Sequence, residues 1–563
     1  MKFNNNSENA GCAVCRNQVD LQDKAYSRCD MVQGMPCLPC TQFTQLEAKI
    51  AETIASLEKM LAERRQIQTE INQTHDPILR RLPREIASHI FNFAIIPNIW
   101  ATEQNSQPNR REIMAPLYLG ATCKAWRELA WATPHLWTSV YANVEIRDKF
   151  IGLSKINESK LDTFRQWISR TGQLPLSVQL RGVTPFFYES DDGMESDEDE
   201  KILYQKRLEN NIGPFVDVLN NHSGRLRDLA LVGPISLLQR FTGDSRGTPL
   251  LRCLFLMPSD FDYDPPYEVL FRISARQPQP QVISIAHLSL IYVDIDWSNL
   301  TDLLAKSFSV LECLEVLKQA PRLKHCDLRD VTRGPTNHTP YSPVQHTTME
   351  FLSVGVTDGN CIVLIFDLLT LPALSSLAIT LDNHWTTLPS GSLVSFLERS
   401  SCILKSFCVH HGRYDIAILV TLLRSLPSVE ELVLHTMNAG PDHRIFFNQL
   451  VHTSPILGDQ GVCSQQQQFL TNMRSLSYFI PRDHEIPWDL IPDIFGPLPG
   501  QSRPLSIFRI LTGRDPNPTT SIDETVIKRL MDIQAAGVTL LLPWKDVGRE
   551  DLINPLHKQP CWI

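Results

Sequence analysis

The chain has 563 residues, 43% of them hydrophobic, enough for two to four domains with sizeable buried cores. A net charge of -9 and a pI near 6 exclude a globally basic nucleic-acid binder, and no run reaches the ~18 uncharged apolar residues of a membrane span. Residues 1–6 lack the apolar core of a signal peptide and residues 561–563 fall one short of a prenylation box, so an intracellular location in cytoplasm or nucleus is expected, with the fourteen cysteines as thiols or metal ligands.

Five of those cysteines crowd into the first forty residues as Cys12-x-x-Cys15, Cys29 and Cys37-x-x-Cys40. Two such pairs suit a structural tetrathiolate zinc site on Cys12, Cys15, Cys37 and Cys40, because the short spacing lets both sulfurs of each pair reach one tetrahedral ion. The passage from Cys29 to Cys40 also resembles the second half of a fungal binuclear zinc cluster, a DNA-binding module. It departs from that family in its long gap after Cys15 and its missing sixth cysteine, and residues 16–30 balance three bases against three acids where phosphate contacts need net positive charge. Three readings stay open: a zinc knuckle, unliganded thiols in a tail, and a DNA-binding regulator. No cofactor is required by the rest of the chain.

Residues 43–71 read as one long helix, with Phe43, Leu46, Ile50, Ile54, Leu57, Leu61 and Ile71 marking an apolar stripe that Arg64 interrupts. Thr53 and Arg64 on the seam favour a partly solvated coiled coil, and hence a homodimer, over a helix folded back as a brace.

Residues 78–91 run Ile-Leu-Arg-Arg-Leu-Pro-Arg-Glu-Ile-Ala-Ser-His-Ile-Phe. Pro83 suits the first position of a helix, where its missing N–H would be unpaired anyway. Ile86, Ile90 and the Phe93/Ala94 pair then recur at three to four residues, on one face of a helix that must stop by Pro97. After a loop over residues 95–115, a second amphipathic helix is predicted from Pro116 through Leu119, Cys123, Trp126 and Ala130 to the stop at Thr133-Pro134, with Lys124, Arg127 and Glu128 turned away. Two such short helices cannot bury themselves. At roughly 25 cal/mol per Å² of apolar surface they need each other and a third surface, the chain's own or a partner's.

The combination of Leu82-Pro83, Glu85-Ile86, Ile90-Phe91, Leu119, Cys123-Lys124, Trp126 and His135-Leu136-Trp137 resembles an F-box, and the long loop is similar to that of many fungal relatives. The resemblance implies docking onto a Skp-type linker subunit, and through it a cullin, with Leu82, Pro83, Ile86, Ile90, Phe91, Leu119, Cys123 and Trp126 as the partner-binding residues.

Beyond this module, residues 164–172 read as a helix with a Gly stop and residues 174–180 as a strand, while residues 189–200 hold eight acidic side chains and read as a disordered loop. A strand signature, apolar-x-x-apolar-x-apolar, then recurs: Leu226/Leu229/Leu231, Leu251/Leu254/Leu256, Ile285/Leu288/Leu290, Leu323/Cys326/Leu328, Met349/Leu352/Val354, Leu374/Leu377/Ile379, Leu404/Phe407/Val409, Val429/Leu432/Leu434, Met473/Leu476/Tyr478 and Leu505/Phe508/Ile510. Several are preceded by helical runs ending near a proline, so the pattern predicts an irregular leucine-rich-repeat array, with a doubly wound α/β domain as the alternative. A helix over residues 523–536 and a strand over 538–542 would close it.

The expected fold class is therefore α/β: an N-terminal long helix and a helical F-box followed by an irregular leucine-rich-repeat solenoid. The boundaries are residues 1–42 for the Cys-rich tail, 43–75 for the helix, 76–143 for the F-box, 144–188 for a linker helix and first repeat-like unit, 189–200 for the acidic loop, 201–545 for the repeats and 546–563 for a tail. No nucleophile motif, dinucleotide loop or phosphate loop occurs, and His410-His411 has no carboxylate or cysteine pair nearby in sequence, so no enzyme activity is expected. The expected role is a substrate-recognition adaptor of a cullin-based ubiquitin ligase holding a protein substrate on the repeats; the alternatives are the zinc-dependent DNA-binding regulator and an F-box scaffold unconnected to degradation.

Overall fold

The structure, a computed structural model, describes residues 38–75, 78–79, 81–94, 113–145, 154–183, 198–259, 269–334, 341–381, 387–411, 414–435, 443–452, 469–480, 486–496, 504–512 and 522–542. It is a mixed α/β protein with a long N-terminal helix and divides into two units, residues 1–96 with 114–133, and residues 97–113 with 134–563.

In the first unit, α1 (Leu38–His75) is an unbroken helix of 38 residues that starts five residues earlier than the apolar stripe implies. Pro39 is tolerated in its first turn, where backbone N–H groups have no helical acceptor, and no Gly or Pro follows. Next, α2 (Arg84–Ala94) begins one residue after Pro83, whose carbonyl accepts the first helical bond from Ala87 N at 3.0 Å. The single second helix expected from Pro116 is in fact two, α3 (Ala115–Thr122) and α4 (Lys124–Trp131). Cys123 between them is fully extended (φ -157°, ψ 172°), and its Sγ accepts a bond from Trp126 N at 3.4 Å, so it caps α4 instead of continuing α3. The loop expected over residues 95–115 lies outside the described residues up to 112, and Ala115 is already helical.

Among the described residues, the second unit is built on a fourteen-stranded sheet whose strands lie side by side in chain order, every neighbouring pair parallel. They are β1 (Ser139–Glu145), β2 (Leu176–Val183), β3 (Leu226–Gly233), β4 (Cys253–Pro258), β5 (Val282–Ala286), β6 (Asp302–Lys306), β7 (His325–Val331), β8 (Phe351–Val356), β9 (Ser376–Leu381), β10 (Ser406–His411), β11 (Glu431–His435), β12 (Ser475–Ile480), β13 (Ile507–Thr512) and β14 (Thr539–Leu541). Parallel neighbours require crossovers, and helices supply most of them: α5 (Ser154–Arg170), α6 (Glu198–Asn221) and α7 (Ile235–Arg240) join the first four strands. Further along come α8 (Val310–Gln319), α9 (Gly359–Leu368), α10 (Ser390–Ser400), α11 (Ile416–Arg424), α12 (His443–His452), α13 (Ile491–Ile494) and α14 (Glu524–Ala535).

The recurring signature is the register of this sheet. Leu229, Leu254, Ile283, Leu303, Cys326, Leu352, Leu377, Phe407, Leu432, Leu476 and Phe508 pair across successive strands, and each is at most 4% exposed. A second buried row two residues on carries Leu231, Leu256, Ile285, Ala305 and Leu328. These rows face the helices, because residues i and i+2 share a side of a strand. The signature expected at Ile285/Leu288/Leu290 is set two residues earlier in the structure: Ile283 and Ile285 are the buried pair of β5, and Leu288 and Leu290 lie beyond the strand. The unit at β6 escaped notice because small Ala305 stands where a Leu is expected and the segment before it makes only short 3-10 turns, Leu290–Tyr292 and Trp297–Asn299.

Four helices of the second unit begin at side-chain caps. Ser309 and Glu312 form a reciprocal capping box on α8, while Asp358, Asp415 and Asp523 cap α9, α11 and α14. The acidic run is partly structured, since residues 198–200 open α6, while residues 189–197 and 543–563 lie outside the described residues. His135-Leu136-Trp137, grouped by sequence with the Leu-Pro module, belongs to the second unit. There Trp137 is fully buried, edge-on to Trp167 at 4.8 Å, and its carbonyl accepts a bond from Trp167 Nε1 at 3.0 Å.

Candidate docking site

The expected partner-binding residues divide by face. Ala87 and Phe91 of α2 are buried, at 0% and 1% exposure, whereas Ile86, Ile90 and Phe93 are 47%, 39% and 77% exposed. Pro83 is exposed and Leu82 half-buried at the start of the same helix. Phe91 is therefore a correction: its ring packs against Trp126 with centroids 4.7 Å apart, so it belongs to the module's own core and not to a surface that a partner can reach. Periodicity could not separate it from Ile90, because both lie on the same apolar half of α2, opposite Arg84, Glu85, Ser88, His89 and Asn92.

On the other side of the module, Leu119, Cys123 and Trp126 are half-buried and Tyr118 is 56% exposed. The packing of α3 on α4 depends on Gly120, since a Cβ there would lie 2.1 Å from Trp131 Cζ3. Arg127 Nε donates to the Gly120 carbonyl at 2.8 Å, which satisfies an acceptor in the last turn of α3. Thr133 Oγ1 likewise donates to Leu129 O at 2.8 Å, at the end of α4. The result is a small helical unit whose interior is Ala87, Phe91, Leu129 and Ala130, and whose exposed α2 face is a row of large apolar side chains.

In the second unit, the sheet face opposite the helix-facing rows carries polar and charged chemistry. Asp228, 4% exposed, is held by Arg227 Nε at 2.8 Å and by the Ser177 hydroxyl. Burial, followed by the charge of Asp228, pushes the neighbouring Cys253 thiol up to about 12, so it stays protonated. Further along, His325 Nδ1 lies 2.8 Å from Asp302 Oδ1, and Asp327 accepts from Arg329 Nε at 2.7 Å.

The sequence reading missed a contact here. Cys408 Sγ is 2.9 Å from His410 Nε2, and His410 Nδ1 is 3.1 Å from His435 Nδ1. The separation of 25 positions between His410 and His435 hid the pairing, which the strand register alone reveals. Burial, with His410 and His411 nearby, pushes His435 down to about 4, and His410 is lowered in the same direction, chiefly by burial. His410 uses both ring nitrogens within this chain of contacts, so the three side chains form a hydrogen-bonded strip across β10 and β11.

Among the described residues no group of three or more His, Cys, Asp and Glu side chains is arranged to hold a metal, and no helix is long and apolar enough to cross a membrane. Cys12, Cys15 and Cys37 lie outside the described residues, and Cys40 falls in the first turn of α1. A depression of about 270 Å³ between Leu388, Ser390, Tyr414 and Ile418 lies below the ~300–1,000 Å³ usual for small-molecule sites. Compared with models of protein families the chain matches none, and no curated protein matches it.

Proposed function

We propose that residues 78–133 are an F-box-like docking module for a Skp-type linker subunit, and that the second unit is an irregular leucine-rich-repeat solenoid that holds a protein substrate. On this reading the protein is a substrate-recognition adaptor of a cullin-based ubiquitin ligase, and the ubiquitin chemistry takes place on other subunits. The observation that carries the reading is the row Ile86, Ile90 and Phe93, beside Leu82 and Pro83, exposed on a helix whose adjoining apolar flank is already buried through Ala87 and Phe91. Large apolar side chains contiguous on one exposed face mark an interaction surface. The repeat reading is supported by strands in chain order with in-register apolar rows, since such units cannot bury their apolar sides without neighbours. The polar sheet face, with its Asp, His and Arg side chains, is where a protein substrate would find directional contacts.

The test is co-purification of the full chain with a Skp-type linker subunit. Ile86→Ala with Ile90→Ala is expected to weaken binding by roughly thirtyfold or more, because a single central interface anchor already contributes ~2 kcal/mol or more. No binding by the unmodified chain, or undiminished binding by the variant, refutes the assignment.

A further inference from the structure

We infer that α1 pairs with the α1 of a second copy of this chain as an antiparallel coiled coil, with residue i facing residue 117 - i across the seam near the middle of the helix. This goes beyond the docking reading and does not depend on it. The starting observation is that Leu46, Ile50, Leu57, Met60, Ile67 and Ile71 are each 43% to 57% exposed, spread along one 38-residue helix. They fall on two positions of an unbroken seven-residue repeat: Phe43, Ile50, Leu57, Arg64 and Ile71 on the first, Leu46, Thr53, Met60, Ile67 and Thr74 on the second. A seven-residue apolar repeat, kept here at seven of the ten seam positions, is the signature of a helix that supercoils with a partner.

The orientation follows from the residues that break or flank the seam. A parallel, in-register pair sets Arg64 against Arg64 of the second copy, a like-charge contact in the least solvated position, and sets Lys49 beside Ile54 of the other helix. The antiparallel register removes both conflicts. Ile50 meets Ile67 of the second copy, Leu57 meets Met60, and Ile71 meets Leu46. Arg64 meets Thr53, whose Oγ1–H already donates to Lys49 O of its own helix at 2.7 Å and so requires no partner across the seam. On one flank Lys49 faces Glu70 of the second copy, and on the other Ile54 faces Leu61, each contact occurring twice by symmetry. Thus the residues that interrupt a parallel seam become complementary in the antiparallel one. At 1.5 Å rise per residue, the two chains leave the pair about 50 Å apart, at opposite ends.

The test uses the full chain and sedimentation equilibrium. The expected result is a species of twice the 64.0 kDa chain mass that Leu57→Asp converts to monomer. Lys49→Glu and Glu70→Lys, made singly, are expected to weaken dimerisation by about tenfold, because two symmetric pairs turn repulsive, and the double variant is expected to restore it. Ile50→Cys alone is not expected to cross-link between copies, since the two sites would lie about 25 Å apart, whereas Ile50→Cys with Ile67→Cys is expected to link through peptides identified by mass spectrometry. A monomer at all concentrations, with α1 covered by another part of its own chain, overturns the inference. So does cross-linking of Ile50→Cys to itself, which marks a parallel pair, or a double charge variant that fails to recover.

Discussion

Two phenylalanines on one helix allow a controlled comparison. Phe91 is 1% exposed and packed against Trp126 with the rings tilted by 47°, while Phe93 is 77% exposed, so the same truncation to Ala at each position removes the same atoms from opposite environments. For Phe91→Ala the lost burial and residual cavity cost roughly 3–5 kcal/mol, including an aromatic contact of roughly 0.5–1.5 kcal/mol. A unit this small rests on a net stability of about 3–5 kcal/mol, so the variant module should be largely unfolded at room temperature. For Phe93→Ala the free chain loses almost no burial and gains slightly in helix propensity, so stability should move by less than about 0.5 kcal/mol. Binding should fall in both variants, but only Phe93→Ala should lose it without unfolding: because Phe93 lies in the proposed docking row, its loss should weaken linker-subunit binding by roughly ten- to thirtyfold in a fully folded protein. Hydrogen exchange read peptide by peptide is the suitable assay, since it reports the stability of α2 and α4 without interference from the large sheet. Exchange there should accelerate by about a thousandfold in Phe91→Ala, up to the limit set by the module's own stability, and stay within about threefold in Phe93→Ala. Equal acceleration in both variants refutes the division of α2 into an inner and an outer face.

Gly120→Ala should destabilise the α3–α4 pair by about 1–3 kcal/mol, because the new Cβ would overlap the Trp131 ring; local exchange rates measure it, and unchanged rates over α3 and α4 refute the close packing. The imidazole of His435 makes stability sensitive to acid. An unfolded His titrates near 6.5 and the folded one near 4, so on acidification the unfolded state takes up the proton first. The contribution is fully present above about pH 6.5 and is lost as the pH falls toward about 4, to a total of roughly 3 kcal/mol. Urea midpoints compared at about pH 7 and about pH 4.5 should therefore fall, and His435→Gln should flatten the dependence; an equal fall in the variant refutes the assignment to this residue.

Apolar spacing was the legible part of this sequence. Residues such as Leu229 and Leu231 announce a strand because period two and a buried face allow few alternatives. The same reasoning slipped at residues 285–290, where a sixth apolar residue close by offered a second frame, and it passed over β6 because Ala305 carries little apolar signal. In the helical module, spacing located α2 and the residues flanking its surface, yet it could not say which apolar residues turn inward. That is a property of the neighbour: Phe91 is interior because Trp126 stands opposite, thirty-five positions along the chain. The break at Cys123 was invisible for a related reason, since a capping Sγ and an interior Cys look alike until the backbone turns. The Cys408–His410–His435 contacts arise only once β10 and β11 are aligned, so no local pattern could have revealed them.

The order of the strands also shapes how the second unit comes apart. Because each strand hydrogen-bonds only to those just before and after it in the chain, the loss of β14 removes partners from β13 and leaves β3 untouched. Cooperativity in such a row decays with distance, as in a one-dimensional chain of coupled units, and folding can nucleate at any well-filled adjacent pair and spread outward. Denaturation should therefore proceed by fraying from the ends, with fluorescence of Trp167 beside β1 and amide protection in β13 reporting different midpoints in the same titration.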